Sequence, residues 1–329
     1  MDDELERSIA QALAETLRDV APGKVEGRLR ELGWNEVAAE DPTAASRLLY
    51  TAIGEQLAPV ESLSRVGLDA MTPACDNCVG CERLLLARGG IDCLVAGKWS
   101  NGIGRLDALI LSPLQSADRF AAILQTGPAE MSLWIGSLPE TAFKALHGWD
   151  ASLGWSAVDG SFAVPADDLV PLDQVTLEAA ESAVRRAAAQ ILIGCSTRIL
   201  DIAIDHVKNR HQFGRPIGSY QAVQHAMADV HVAIAAASGL AELAWASGGV
   251  SDSVFAKASA SHAYTVAAAN AQQVCGGMGM SWEFPLHRYV RRGAVVDAMT
   301  GSRTMLTRSL GASLLERLET EAAQGPGCG

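Results

Sequence analysis

Between Gln174 and Arg210 apolar residues recur at helical spacing without a break long enough to end a helix. Val184, Ala188, Ile191, Cys195, Ile199, Ile202 and Val207 fall near one face. Arg186, Gln190, Arg198, Asp201, Asp205 and Lys208 lie largely elsewhere, which is the pattern of a helix with one buried stripe. A continuous helix over this stretch is roughly 55 Å long at 1.5 Å per residue. That exceeds an average globular helix and suits a bundle, in which neighbours cover it along its length. Further helices are predicted over 217–247, 251–275 and 294–318, with stops at Gly248-Gly249, Gly276-Gly277 and Pro285.

The preceding sequence has two other textures. Residues 1–70 read as an N-terminal α-helical domain. Leu5, Ile9, Leu13 and Leu17 are spaced for a helix, and Pro22-Gly23 ends it. Val25 to Leu32 is a second helical run, and Asp41-Pro42-Thr43 reads as a cap with proline just inside a third, Ala44 to Leu57. Over 71–173 the apolar runs shorten to Ile91–Ala96, Leu106–Leu111 and Met131–Ile135, bounded by Gly, Pro, Ser and Asp. These are strand and turn signals, and they predict a reduced, largely antiparallel middle β-domain. The expected fold is therefore α+β: helical domain, small β-domain, four-helix bundle over 174–320, and a flexible tail over 321–329.

Composition closes off some classes. At 49% hydrophobic and 19% charged the chain is globular in character. A net charge of −12 gains nothing from counterion release, which argues against nucleic acid as a partner. No run of about 18 apolar residues is free of charges, so no membrane span is expected. Met1-Asp2-Asp3-Glu4 lacks the basic start of a secretory signal, and the expectation is a cytoplasmic protein with reduced cysteines.

Two blocks carry a resemblance. The first is Arg210…Gln212-Phe213-Gly214-Arg215-Pro216-Ile217…Gln221…Gln224-His225…Ala228-Asp229. The second, about sixty residues on, is Gln273…Gly276-Gly277…Gly279…Glu283…Pro285-Leu286…Arg288…Arg291. Together they resemble the FAD-binding hairpins of the acyl-CoA dehydrogenase family. Leu32-Gly33-Trp34 and Val95-Ala96-Gly97-Lys98-Trp99 with Asp107-Ala108-Leu109 are similar to shorter motifs of the same family. Taken singly, each block also has the look of an ordinary helix end, with Gly214 as a left-handed cap.

The resemblance implies FAD as cofactor, with Arg210, Gln212, Phe213, Gln273, Gly276 and Gly277 as its contacts. The chemistry of these residues agrees. A guanidinium pairs with a pyrophosphate through charge-assisted hydrogen bonds. A phenyl ring offers a flat apolar face. Glycines let backbone N–H groups approach an anion. In the family such residues reach a FAD held mainly by a neighbouring subunit, so the resemblance implies an oligomer.

The family's reaction is abstraction of an α-proton from an acyl-CoA by a carboxylate, with hydride transfer to the flavin. A carboxylate is ionised at neutral pH and can hold the proton; an unassisted hydroxyl is a poor base. Where the resemblance places a glutamate, this chain has Thr300, and the family's alternative base position is Val184. No catalytic residue is therefore assigned. Asp297, three residues before Thr300, and Glu181, one turn before Val184, are the fallback candidates; read more simply, both are solvated surface acids. The family loop that covers the flavin ring also has no counterpart here.

This asymmetry gives the expected function. The chain is expected to be a reduced subunit of an α2β2-type acyl-CoA dehydrogenase, inactive alone. A second family subunit carrying the catalytic glutamate is the partner, and an acyl-CoA, such as a bulky steroid-derived ester, is the substrate. The alternatives are a flavin-dependent monooxygenase on the same fold and a purely structural partner subunit.

Cys75, Cys78, Cys81 and Cys93 form a C-x2-C-x2-C…C pattern that can wrap zinc or an iron–sulfur cluster. No histidine adjoins it and the resembled family uses no metal, so no metal is expected. His225 is expected to pack within the bundle, and Trp99, Trp134, Trp149 and Trp155 within the β-domain core.

Overall fold

The computed structural model describes residues 3–72, 83–88, 94–114, 119–146 and 148–324. Five helices come first: α1 (Asp3–Leu17), α2 (Val25–Glu31), α3 (Trp34–Glu40), α4 (Pro42–Gln56) and α5 (Ser62–Met71). The Asp41 carboxylate accepts from the Ala44 N–H at 3.0 Å, and Pro42 occupies the first turn, where its missing N–H costs nothing.

Among the described residues nine strands follow: β1 (Arg83–Leu84), β2 (Leu86–Ala87), β3 (Val95–Ser100), β4 (Ile103–Ile110), β5 (Phe120–Gln125), β6 (Met131–Gly136), β7 (Phe143–Ala145), β8 (Ser156–Ala163) and β9 (Leu169–Leu172). They make one sheet in the order β7-β8-β4-β3-β5-β6-β9, with β1 beside β5 and β2 beside β4. Pairing is antiparallel except for β3 with β5 and β1 with β5. One face carries Ala96, Leu106, Ala108, Phe120, Ala122, Leu124 and Trp134 in a core of its own. The other side, through Leu109, Ala121, Ile123 and Leu133, joins the main helical core. Trp149 is 69% exposed and does not belong to either core, contrary to expectation.

Helix α6 (Gln174–Asn209) is the axis of the molecule. The Asp173 carboxylate starts it, accepting from the Thr176 N–H at 2.7 Å. The one-sided burial expected from its sequence is found only toward its end. From Ala180 to Ser196 nearly every residue is buried, because α4, α5, α7 (Gln221–Ser247), α8 (Val250–Cys275) and α9 (Leu286–Ala298) pack around it. Ala187, Ala188 and Ala189 are small enough to allow that on successive faces. Gln190, expected outside the stripe, is buried and donates to the Thr51 hydroxyl at 2.7 Å.

The expected helix over 294–318 is two helices. Helix α9 ends at Ala298 and α10 (Arg303–Gln324) begins after a turn in which Thr300 has φ 59° and Gly301 φ 93°. Two consecutive residues in the left-handed region reverse the chain and cannot continue a helix. The described C-terminal half thus has five α-helices where a four-helix bundle is expected. By length and composition, α6 and α7 are apolar enough to cross a membrane. Helix α6 is mostly buried in the bundle; α7 instead exposes Ala228, Val232, Ala235, Ala236, Gly239 and Leu243.

Candidate functional site

The first motif is a tight hairpin. Helix α6 closes at Arg210, whose N–H donates to the His206 carbonyl at 2.9 Å. Strands β10 (His211–Gln212) and β11 (Arg215–Pro216) then pair antiparallel, Gln212 opposite Arg215. Only Phe213 and Gly214 remain for the turn, with φ 54° and 82°. Two positive φ values match the right-handed twist of a two-residue hairpin. Glycine adopts this freely; a phenylalanine there is strained. Its ring is nevertheless 92% exposed and stands at the tip.

The hairpin's base is stiffened. The Arg215 guanidinium lies over the Tyr220 ring, 4.0 Å from its centroid, and the Ile217 N–H donates to the Arg210 carbonyl at 2.8 Å. Arg210 itself is exposed, and it makes no salt bridge among the described residues. Beside the hairpin a cavity of about 500 Å³ lies between the end of α6 and the start of α7, lined by Ile204, Val207, Pro216, Val223 and Met227 with Lys208 among them.

The second motif ends α8. Gln273 is exposed, and Gly276 has φ 55° and ψ −139°, a combination essentially reserved for glycine. A β-carbon built at Gly276 or Gly277 would meet no atom within 4 Å, so this backbone presents an open surface. The following loop returns to the first motif: the Phe284 ring packs edge-on to His206 at 5.7 Å. His206 is one turn before Arg210, so both motifs occupy the same end of the bundle. Burial and the Arg210 charge together lower the His206 pKa. His225, expected inside the bundle, is exposed.

The residues at the expected base positions lie deeper. Val184 is fully buried in the main core, where a β-carbon on Gly67 of α5 would reach its methyl at 3.1 Å. Glu181 is not a solvated acid: it is 7% exposed and pairs with the buried Arg185 at 3.0 Å. Asp297 is half-buried, 3.8 Å from the ammonium of Lys257, with its side chain 23% exposed. Thr300 is 2% exposed. Cys75, Cys78, Cys81 and Cys93 lie outside the described residues; among those described, no group of three His, Cys, Asp or Glu side chains is placed to hold a metal.

Besides Arg185, sequence reasoning missed two further buried cations among the described residues. Lys257 is 0% exposed and Arg292 1% exposed. Lys257 is in phase with the buried α8 stripe of Ser253, Ala260, Tyr264, Ala267 and Ala271, and that was the available signal. Arg292 bonds Asp150 at 2.7 Å, Ser152 at 3.2 Å and the Ala58 carbonyl, tying α9 to the β7–β8 connection and the α4–α5 connection.

Comparison with known proteins gives this arrangement a family. The model of the acyl-CoA dehydrogenase C-terminal domain matches residues 178–315, which hold both motifs and the Thr300 turn. Residues 178–315 are an acyl-CoA dehydrogenase C-terminal domain. Acyl-CoA dehydrogenase IpdE2 of Mycobacterium tuberculosis is 37% identical over 148 residues, covering 45% of this chain and 43% of that protein. The match thus spans less than half the length of that relative. Two solved structures share the fold over nearly the whole chain. One is a Tcur3481–Tcur3483 steroid acyl-CoA dehydrogenase variant, at TM-score 0.72 and 21% identity, covering 96% of this chain and 99% of that one. The other is the ChsE4–ChsE5 complex from Mycobacterium tuberculosis, at TM-score 0.71 and 19% identity, covering 96% and 98%. Members of this oxidoreductase family bind FAD.

Proposed function

We propose that this chain is one subunit of a FAD-dependent acyl-CoA dehydrogenase. It offers half of a cofactor site to a partner subunit that carries the catalytic glutamate. The observation that carries the reading is a contrast within one helical half. A strained aromatic hairpin tip and an arginine with no ion pair among the described residues face solvent, while threonine occupies the buried position where the base is expected. A chain does not gain by holding Phe213 at positive φ in water; the conformation makes sense if the ring is covered on assembly.

The residues present fit FAD. Arg210 would pair with the pyrophosphate, the backbone at Gly276 and Gly277 would approach it without β-carbons, and Phe213 would lie against the adenosine end. Bound FAD supplies the hydride acceptor for α,β-desaturation of an acyl-CoA. The residues named here bind and orient it and move no proton. The exposed apolar face of α7 supports assembly. A bulky, steroid-derived CoA ester is the proposed substrate, supported by the steroid enzyme among the structural neighbours. A heteromeric arrangement is supported by the two-protein ChsE4–ChsE5 complex.

The test is to purify the chain alone and co-expressed with a glutamate-bearing family member. The reading expects stoichiometric FAD and acyl-CoA turnover only in the complex. Stoichiometric FAD and turnover in the isolated chain would overturn it.

A further inference from the structure

Helix α10 leaves the body of the molecule part-way along its length. Its first turns are anchored: Leu306 is fully buried, and the Arg303 guanidinium donates to the His262 ring of α8 at 3.1 Å. From Ala312 to Thr320 every residue is exposed. Gly311 stands at the point of departure, where a β-carbon would meet no atom within 4 Å. The exposed part is amphipathic. At about 100° per residue Leu314, Leu315 and Leu318 share one side, with Glu319 at one edge of it, Arg317 at the other and Glu316 behind. All three leucines are exposed. A free helical segment this short is marginal in water, and a bare leucine face is the form in which a helix enters another protein's groove.

The same chain carries an open groove of the matching kind. The cavity of about 500 Å³ between α6 and α7 is lined by Val207, Pro216, Val223 and Met227, with Lys208 beside them. Pockets that take several side chains' worth of ligand run from about 300 to 1,000 Å³, so this one accepts a pair of leucines. Its walls are fixed. A β-carbon on Gly218 would stand 3.0 Å from the Val207 carbonyl oxygen, so the 217–219 turn lies close on α6. The Ser219 hydroxyl donates to the Pro216 carbonyl at 2.7 Å, and the Gln224 amide to the Gly218 carbonyl at 3.1 Å. These lining groups already have partners. The groove therefore offers an apolar floor and one ammonium, and Lys208 has no ion pair among the described residues.

We propose that residues 312–320 are an arm that docks in the α6–α7 groove of a second copy of this chain, with Leu315 and Leu318 entering the groove and Glu319 meeting Lys208. Shape and charge identify the occupant. The arm brings a leucine face edged by a carboxylate; the groove brings an apolar floor edged by a cation. Both halves are on one chain, so two copies exchange arms about a twofold axis and leave neither half uncovered. The exchange needs neither FAD nor a glutamate-bearing subunit, so it stands or falls apart from the cofactor reading.

The test is the mass of the purified full chain, by light scattering during size-exclusion chromatography, over about 1–100 μM and with no FAD or partner added. Wild type should be a dimer. Leu315→Glu with Leu318→Glu, both on the exposed arm, should weaken the dimer more than about a hundredfold while circular dichroism shows the fold intact. Val223→Glu, in the groove, should do the same. An equimolar mixture of the arm variant and the groove variant should pair again, because one sound arm and one sound groove remain between them. Lys208→Glu should weaken the dimer about tenfold, and adding Glu319→Lys should restore it. A monomeric wild type overturns the proposal. So does a dimer untouched by Val223→Glu and Lys208→Glu, which would show the arms pairing with each other or another face in contact. Failure of the mixed variants to pair also overturns it. If the groove variants disturb only a complex with a glutamate-bearing subunit, that subunit is the occupant and the exchange is refuted.

Discussion

Helices α4 and α6 cross at a pair of glycines, and Gly194→Ala sets two opposite effects against each other. In a helix interior alanine is favoured over glycine by about 1 kcal/mol. At this position, however, the new β-carbon would stand 2.3 Å from the Thr51 carbonyl oxygen and 3.1 Å from the Glu55 nitrogen. Both are backbone atoms and cannot rotate away. Reaching ordinary contact requires the helices to part by roughly 1 Å, and such overpacking costs about 1–3 kcal/mol. The shift also stretches the 2.7 Å bond from Gln190 to Thr51, worth about 1 kcal/mol. The clash wins, with a net loss of about 1–3 kcal/mol. Thermal unfolding of the full chain should show a Tm lower by about 1–4 °C. Gly239→Ala is the control: Gly239 is also inside a helix, α7, but nothing lies within 4 Å of its β-carbon, so this change should stabilise. A Gly194→Ala variant as stable as wild type would refute the close-crossing argument.

Other outcomes follow from the same contacts. Arg292→Met strands the Asp150 carboxylate in a largely buried place, and loss of one partner of such a pair costs about 3–5 kcal/mol in denaturant titration. Burial works to raise the Asp150 pKa, but the Arg292 charge and the Ser152 donors outweigh it and leave the carboxyl below its usual value. A depressed pKa stabilises the fold above the unfolded value of about 3.9 and that stability is lost as pH falls through the folded value. Stability should therefore drop below about pH 4 in wild type, with a shallower slope in Asp150→Asn, measured by unfolding across pH 2–5 in about half-unit steps. Phe213→Asn relieves the left-handed strain, so the isolated chain should hold or gain Tm while the complex binds FAD less tightly; equal FAD affinity would remove Phe213 from the cofactor contact.

The sequence made most of the architecture legible because its signals were local. The Asp41-Pro42 start, the Asp173–Arg210 helix, the β-region runs and the paired glycines are each fixed by a few adjacent residues. What it concealed depended on packing. Glu181 and Asp297 read as surface acids because periodicity does not show that Arg185 and Lys257 share their interior. Gln190 read as outward because α6 is wrapped on several sides and no single stripe describes it. The break at 299–302 was hidden because Thr300 is not a residue that announces a positive φ. The family motifs were visible by spacing, but that both face one end of the bundle required the His206–Phe284 contact.

The measurement that bears most directly on a shared cofactor site is the FAD content of the assembled complex, wild type against Arg210→Ala, with assembly followed by size-exclusion chromatography. Arg210 is exposed and outside the core, so the variant should assemble normally. Losing a charge-assisted contact to pyrophosphate should weaken FAD at least about tenfold and leave the purified complex depleted of flavin. An intact complex that keeps its full flavin complement after this change would contradict the assignment.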